Sequence, residues 1–218
     1  MVTGQFYHIY SRSIAGFIVF NNPDEYSRMI DIFSLYQYRD FNHKYSRFAD
    51  LDFTLQAEIR TDLEKSSSKY VDIVAYCLMP THLHLILKQS EDGGISTFIS
   101  KTLNSYTRYF NIRHKRIGPL WEGRFKNVFV ENDEQMIHLT RYIHLNPSSA
   151  SIVNYPIEWP HSSYGEYIEL DSVLNPICLY REILDIVPSE YKRFVNDYKD
   201  FQRNISEIKK HLIDNYTG

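Results

Sequence analysis

Two cysteines in 218 residues are too few for a disulfide framework, and Cys77 and Cys178 stand too far apart for a zinc knuckle. Cys77 lies in an apolar run and reads as a buried free thiol, so a reducing cytoplasm is the expected compartment. No run approaches the roughly 20 apolar residues of a membrane span, and no membrane partner is expected. The first residues, Met1-Val2-Thr3-Gly4-Gln5, lack a basic segment leading into an apolar one, so no secretory signal is visible. Repeats, low-complexity tracts and a nucleotide-binding motif are missing too. Basic charge is in short supply: 24 Lys and Arg face 27 Asp and Glu, for a net charge of −3, which argues against a general polyanion binder. What remains is 43% hydrophobic and 23% charged, the composition of a globular chain with one core, or one core and a small appendage.

The distribution of charge says something different from its sum. Seven of the basic residues, Lys101, Arg108, Arg113, Lys115, Arg116, Arg124 and Lys126, fall in one stretch whose single acid is Glu122. A basic stripe on an otherwise acidic protein is a footprint for a polyanion; a solvated helix face is the plainer alternative.

Taken in order, Phe6 to Arg12 alternates in aromatic and β-branched character and predicts a first strand. Phe17 to Phe20 is a short extended piece. Asn22-Pro23-Asp24-Glu25 starts a helix, with Asn as cap, Pro at the first position and acids in the first turn. Residues 40–70 are polar and weakly periodic, an excursion with a short helix over Leu51 to Leu63 and a loop over Lys65 to Lys69. Val71 to Leu78 and His82 to Lys88 predict an antiparallel hairpin turning at Met79-Pro80. Ile95 to Ile112 is a long helix, Arg124 to Glu131 a further strand, and Asn132-Asp133-Glu134 caps a third helix that Pro147 ends. From residue 170 the pattern turns to charged helical pieces. The expectation is α+β: helices packed on an antiparallel sheet in a domain over residues 1–169, then a helical C-terminal extension over residues 170–218.

The chemistry concentrates in Ala75-Tyr-Cys-Leu-Met-Pro-Thr-His82-Leu-His84-Leu-Ile-Leu87. Side chains alternate faces along a strand, so His82 and His84 share one face while Leu83, Leu85 and Leu87 enter a core. Two imidazoles on a rigid strand form half of a metal site, or else two surface histidines on a half-exposed strand. In the third helix, Tyr142 and Asn146 stand four apart on one face. Asn146 precedes proline, which places it at the helix end with its amide oxygen free to turn toward a ligand. A tyrosine, an amide and two histidines can hold a divalent ion and aim a phenol beside it; alone, Tyr142 reads as a core aromatic and Asn146 as a C-cap.

These segments resemble a known family. Tyr76 to Leu87 is similar to the histidine–hydrophobe–histidine motif of HUH endonucleases, and Arg141-Tyr-Ile-His-Leu-Asn-Pro-Ser-Ser-Ala150 resembles the signature of REP-associated tyrosine transposases. Tyr7-His-Ile-Tyr-Ser-Arg12, Gly118-Pro-Leu-Trp-Glu-Gly-Arg-Phe-Lys126 and Trp159-Pro-His-Ser-Ser-Tyr164 follow that family in the same order, from about Phe6 to Tyr167. The chain departs from it at Thr81, where the family usually has Asn, at Ser11 and Ser13, where it has Asn and Gly, and in the long excursion over residues 40–70.

The resemblance implies a ferredoxin-like HUH fold. It makes His82 and His84 metal ligands, Asn146 the third ligand and Tyr142 the nucleophile of a single-stranded DNA endonuclease and strand transferase. The hard oxygen ligand and phosphate substrate point to Mg²⁺ or Mn²⁺, though two imidazoles also accept Zn²⁺ or Ni²⁺. Attack by the phenol yields a 5′-phosphotyrosine and a 3′-hydroxyl. The implied partner is single-stranded DNA flanking a hairpin, as at repetitive palindromic elements, met by a monomer or homodimer. Lys101, Arg108, Arg113, Lys115, Arg116, Arg124 and Lys126 would hold phosphates, with Tyr109 and Trp121 as base-stacking candidates and Tyr106 and Phe110 in the core. Two rivals stand beside this reading: a rolling-circle initiator or relaxase-type nickase, and a non-catalytic DNA-binding protein that keeps the fold.

Overall fold

The computed structural model describes residues 1–170, 173 and 176–214, with side chains described to residue 206. Strands β1 (Phe6–Arg12), β2 (Val71–Met79), β3 (His82–Gln89) and β4 (Lys126–Val130) form one antiparallel sheet in the order β2-β3-β1-β4. The helices are α1 (Pro23–Tyr36), α2 (Tyr45–Ala49), α3 (Phe53–Ser66), α4 (Gly94–Arg113), α5 (Asp133–Ser149), α6 (Tyr164–Tyr167), α7 (Pro188–Asn196) and α8 (Lys199–Asp214). This is the α+β arrangement expected from the sequence.

The period-two alternation of the strands divides the interior into two cores. Tyr7, Ile9, Tyr76, Leu78, Leu83, Leu85 and Leu87 face one way, against Met29 and Phe33 of α1 and Phe98 and Tyr106 of α4. Ala75, Cys77, Met79, Ile86 and Val130 face the other way, against Ile143 and Leu145 of α5 and Tyr191 and Val195 of α7. Leu83, Leu85 and Leu87 are fully buried, and each contributes roughly 1.5–3 kcal/mol of transfer free energy. A bulge in β2 between Ile73 and Ala75 lets Val74 and Ala75 both enter the second core.

Helix starts obey their caps. The Asn22 side chain accepts from the Glu25 amide and the Asn132 side chain from the Gln135 amide. Within the excursion, the helix runs over Phe53–Ser66 rather than Leu51 to Leu63, because the Asp52 carboxylate caps it through the Leu55 amide at 3.0 Å. Phe17 to Phe20 is extended but joins no strand; the amides of Val19 and Phe20 bond the Pro80 carbonyl and so hold the β2–β3 turn.

Pro147 does not end α5. It removes a single donor, while the Ala150 and Ile152 amides still reach the carbonyls of Asn146 and Pro147 at 2.9 and 3.0 Å, and the helix runs on to Ser149. Asn146 is therefore helical, not pushed out of the α region as the Asn-Pro step predicts.

The segment after α5 is woven into the fold. Residues 159–163 run along the free edge of β2, where the Leu78 amide bonds the His161 carbonyl and the Ser163 amide bonds the Tyr76 carbonyl, both at 2.9 Å. Helix α7 completes the second core, and α8 lies along α5, with Arg203 Nε donating to the Ser148 carbonyl at the end of that helix.

Candidate active site

The antiparallel pairing of β1 with β3 sets Tyr10 opposite His84 and Arg12 opposite His82. Directly opposed residues share a face, so Arg12, Tyr10 and His8 line up beside the two histidines on the side of the sheet covered by α5. His84 is 7% exposed; His8 and His82 are partly buried. His8 Nε2 lies 2.9 Å from His84 Nδ1, and the Thr81 hydroxyl lies 3.0 Å from His82 Nδ1. Among the described residues, neither Nε2 of the His82–His84 pair has a hydrogen-bond partner, and the two rings stand 5.2 Å apart between centroids.

Burial decides the protonation of this cluster. It draws His8 and His82 down to about 4, the Arg12 guanidinium adding to the effect at His82. His84 falls well below the ordinary imidazole value, first through burial and then through His82, His8 and Arg12. All three imidazoles are therefore neutral at physiological pH, the form in which a ring nitrogen can bind a metal.

Helix α5 brings the phenol. The Tyr142 ring, 42% exposed, meets His84 edge-on at 6.1 Å and His8 at 6.5 Å. Partial burial raises its pKa above the ordinary phenol value, Arg12 opposing that rise and Tyr10 adding to it. One turn on, Asn146 keeps its Nδ2 buried with no hydrogen-bond partner in the protein. Two neutral imidazole nitrogens without hydrogen-bond partners among the described residues fit a divalent ion, and the Asn146 amide can join them only through Oδ1, because its Nδ2 is an N–H donor. Among the described residues no three His, Cys, Asp or Glu side chains are grouped as a metal site.

Helix α5 is held by a buried network. His144 Nδ1 pairs with the Tyr191 hydroxyl at 2.7 Å, and His144 Nε2 with the Ser163 hydroxyl at 2.8 Å. Ser163 also takes the Tyr76 amide at 2.9 Å, so strand β2, α5 and α7 share one polar node.

The basic stripe does not gather around the histidines. Helix α4 packs on the opposite face of the sheet. There Lys101, Arg108 and Arg113 line a cleft of about 830 Å³ with Arg28, Lys44 and Tyr109, one wall of which comes from residues 41–46 of the excursion. Arg113 is ion-paired with Asp24 and Glu25, both at 3.6 Å, while Arg116 donates to the neutral Asn111 side chain and the Pro119 carbonyl and keeps its charge. Lys115 is exposed, in a left-handed turn after α4. Lys126 pairs with Tyr10 across β4 and β1, which puts it, with Arg124 just before it, at the edge of the histidine face.

The two base-stacking candidates differ in their surroundings. Trp121 is 7% exposed, with Phe20 and Tyr106 among its aromatic neighbours and its Nε1 donating to the Thr107 hydroxyl, so it has no face to offer a base. The Arg28 guanidinium sits 3.9 Å over one face of the half-buried Tyr109 ring. Tyr106 and Phe110 are core residues, as expected. His8 and Arg12 went unassigned in the sequence because only strand pairing brings them to His82 and His84.

Fold and site together define a class: an antiparallel α+β domain with a histidine pair on its central strand β3 and a helix-borne tyrosine over it. The family model "Transposase IS200 like" matches residues 44–146, which include β2, β3, α4, β4 and α5 as far as Asn146. A protein of Haemophilus influenzae that carries the name REP-associated tyrosine transposase is 25% identical over 125 residues, covering 52% of this chain and 71% of its own length. A solved structure of a REP-associated tyrosine transposase bound to a REP hairpin superposes with a TM-score of 0.50 at 15% identity, over 86% of this chain and 92% of its own, which establishes the shared fold. The chain is similar in sequence to that family model and to the Haemophilus influenzae protein, and it shares the fold of the solved structure.

Proposed function

We propose that this chain is a metal-dependent single-stranded DNA endonuclease and strand transferase that cuts beside hairpins through a 5′-phosphotyrosine. His82, His84 and Asn146 would hold Mg²⁺ or Mn²⁺, which when bound supplies a Lewis acid for a non-bridging phosphate oxygen. Tyr142 carries the covalent step: its phenol loses a proton, its oxygen bonds phosphorus, the P–O3′ bond breaks and the 3′ oxygen takes up a proton. The phosphodiester is exchanged for a phosphotyrosine of similar energy, so another 3′-hydroxyl can reverse the step and join strands without a nucleotide cofactor. Arg12, opposite His82, adds the positive charge that favours the phenolate. The hairpin partner is carried over from the structural relative, which is bound to one.

The observation that carries this reading is the Tyr142 ring set against His84, one of two neutral imidazoles whose Nε2 atoms have no hydrogen-bond partner among the described residues. A hairpin oligonucleotide with a single-stranded flank, incubated with the protein and Mg²⁺ or Mn²⁺, is expected to yield a denaturation-resistant protein–DNA adduct. Tyr142→Phe removes one hydroxyl and is expected to remove the adduct while leaving fold and DNA binding in place. An adduct that survives in Tyr142→Phe, or one mapped to another peptide, would assign the nucleophile elsewhere. Binding with no adduct in the unmodified protein would favour the non-catalytic DNA-binding reading.

A further inference from the structure

We infer that His8 and Thr81 are positioning residues that fix the two imidazoles of the pair in one tautomer, each with Nε2 facing outward as a lone-pair donor. The inference rests on the metal-site reading above and adds to it two residues from outside the His82, His84 and Asn146 set.

The argument is one of hydrogen-bond capacity. A neutral imidazole has one N–H and one lone pair, and whichever nitrogen donates leaves the other free to bind a metal. In each ring of the pair the nitrogen already engaged is Nδ1, by His8 Nε2 at 2.9 Å for His84 and by the Thr81 hydroxyl at 3.0 Å for His82. If both partners accept, both histidines carry their proton on Nδ1 and present Nε2 bare. His8 Nε2 can accept only when its own proton is on Nδ1, so the choice made at His8 is passed to His84. The His8 and His84 rings lie nearly parallel, with 20° between planes and centroids 5.2 Å apart, so they meet edge to edge and the 2.9 Å contact runs close to both ring planes, along the nitrogen lone-pair direction.

The two partners come from different places. Thr81 is in the β2–β3 turn and acts on the next residue, a local contact. His8 is on β1 and meets His84 only because β1 and β3 are neighbours, with Tyr10 opposite His84. His8 is thus placed as a support for the pair and not as a third ligand, since the nitrogen nearest His84 is directed at Nδ1, away from the free Nε2. Partners of this kind typically alter metal affinity by about 10–100-fold when removed.

The test reads the tautomers directly and then the affinity. Long-range ¹H–¹⁵N spectra of the metal-free protein are expected to show His82 and His84 both protonated on Nδ1. Thr81→Val removes only the hydroxyl and is expected to release His82 to a mixture of tautomers. His8→Phe keeps a ring but no acceptor, and is expected to do the same to His84. Each variant should weaken Mn²⁺ binding, measured by calorimetry, by about 10–100-fold, and His8→Gln, which restores an acceptor oxygen, should recover part of the loss. Nε2-protonated rings in the unmodified protein, or unchanged Mn²⁺ affinity in both Thr81→Val and His8→Phe, would overturn the inference. His82→Ala and His84→Ala separate the two levels. If they abolish Mn²⁺ binding while the His8 and Thr81 variants do nothing, only the positioning role fails; if they too leave Mn²⁺ binding intact, the metal-site reading fails with it.

Discussion

The edge of the Tyr142 ring points at the face of His84, with an interplanar angle of 87° and centroids 6.1 Å apart. One residue comes from a helix, the other from a strand adjacent to the sheet's centre. The relationship exists because α5 packs Ile143 and Leu145 into the second core and leaves Tyr142 at its margin. That juxtaposition gives the proposed chemistry its first consequence. His82→Ala and His84→Ala are each expected to abolish metal-dependent cleavage, His82→Ala with the smaller stability change because its side chain is only partly buried. Cleavage assays and thermal melts on both variants check this; normal cleavage by both would move the metal elsewhere.

The pH profile of cleavage should have one limb. Burial raises the Tyr142 phenol above its ordinary value, while His82 is drawn down to about 4. Between about pH 6 and 9 the rate is expected to climb by up to tenfold per pH unit as the phenolate fraction grows, with no break near the ordinary imidazole pKa of about 6.5. A break there would mean that a histidine titrates in the active protein.

The cleft beneath α4 is the place to look for phosphate contacts. Lys101 and Arg108 line it without an ion-pair partner among the described residues, whereas Arg113 is held by Asp24 and Glu25. Lys101→Ala and Arg108→Ala should each lower the salt slope of DNA binding by about one, uniformly across sequences. Arg113→Ala should instead act mainly on stability. Unchanged slopes would make the cleft an ordinary solvated face.

The node at His144 predicts a stability effect that depends on a buried side chain without any contact to substrate. His144→Leu strips partners from the Tyr191 and Ser163 hydroxyls and should cost roughly 2–4 kcal/mol, read from urea unfolding at neutral pH.

Acid should act through the same buried rings. Burial lowers His144 to about 3 and His161 to about 4. Below the unfolded value of about 6.5 the unfolded chain binds protons that the folded chain refuses, so stability falls as pH drops from about 6.5 toward 4. Above that window these residues contribute no pH dependence. A urea midpoint that stays flat from pH 7 to pH 4 would contradict the burial of these rings in solution.

The sequence by itself determined everything that depends on neighbours along the chain. Alternation over Phe6 to Arg12 and His82 to Lys88 set strands, the Asn22 and Asn132 caps set helix starts, and the spacing of His82, His84, Tyr142 and Asn146 marked a candidate site. Local rules misplaced the excursion helix, which Asp52 caps, and misjudged Pro147, because a single lost hydrogen bond near a helix end is outweighed by the packing of that helix on the sheet. Strand pairing and helix side were decided by the tertiary structure alone. Period two puts His8 on a face but does not say which strand lies alongside, so its contact with His84 could not be read from its own segment. Composition assembled one basic stripe from Lys101 to Lys126, yet the sheet separates it. Helix α4 must bury Phe98, Tyr106 and Phe110 in the first core, and that burial carries Lys101 and Arg108 to the side away from the histidines, while Lys126 stays with them on β4.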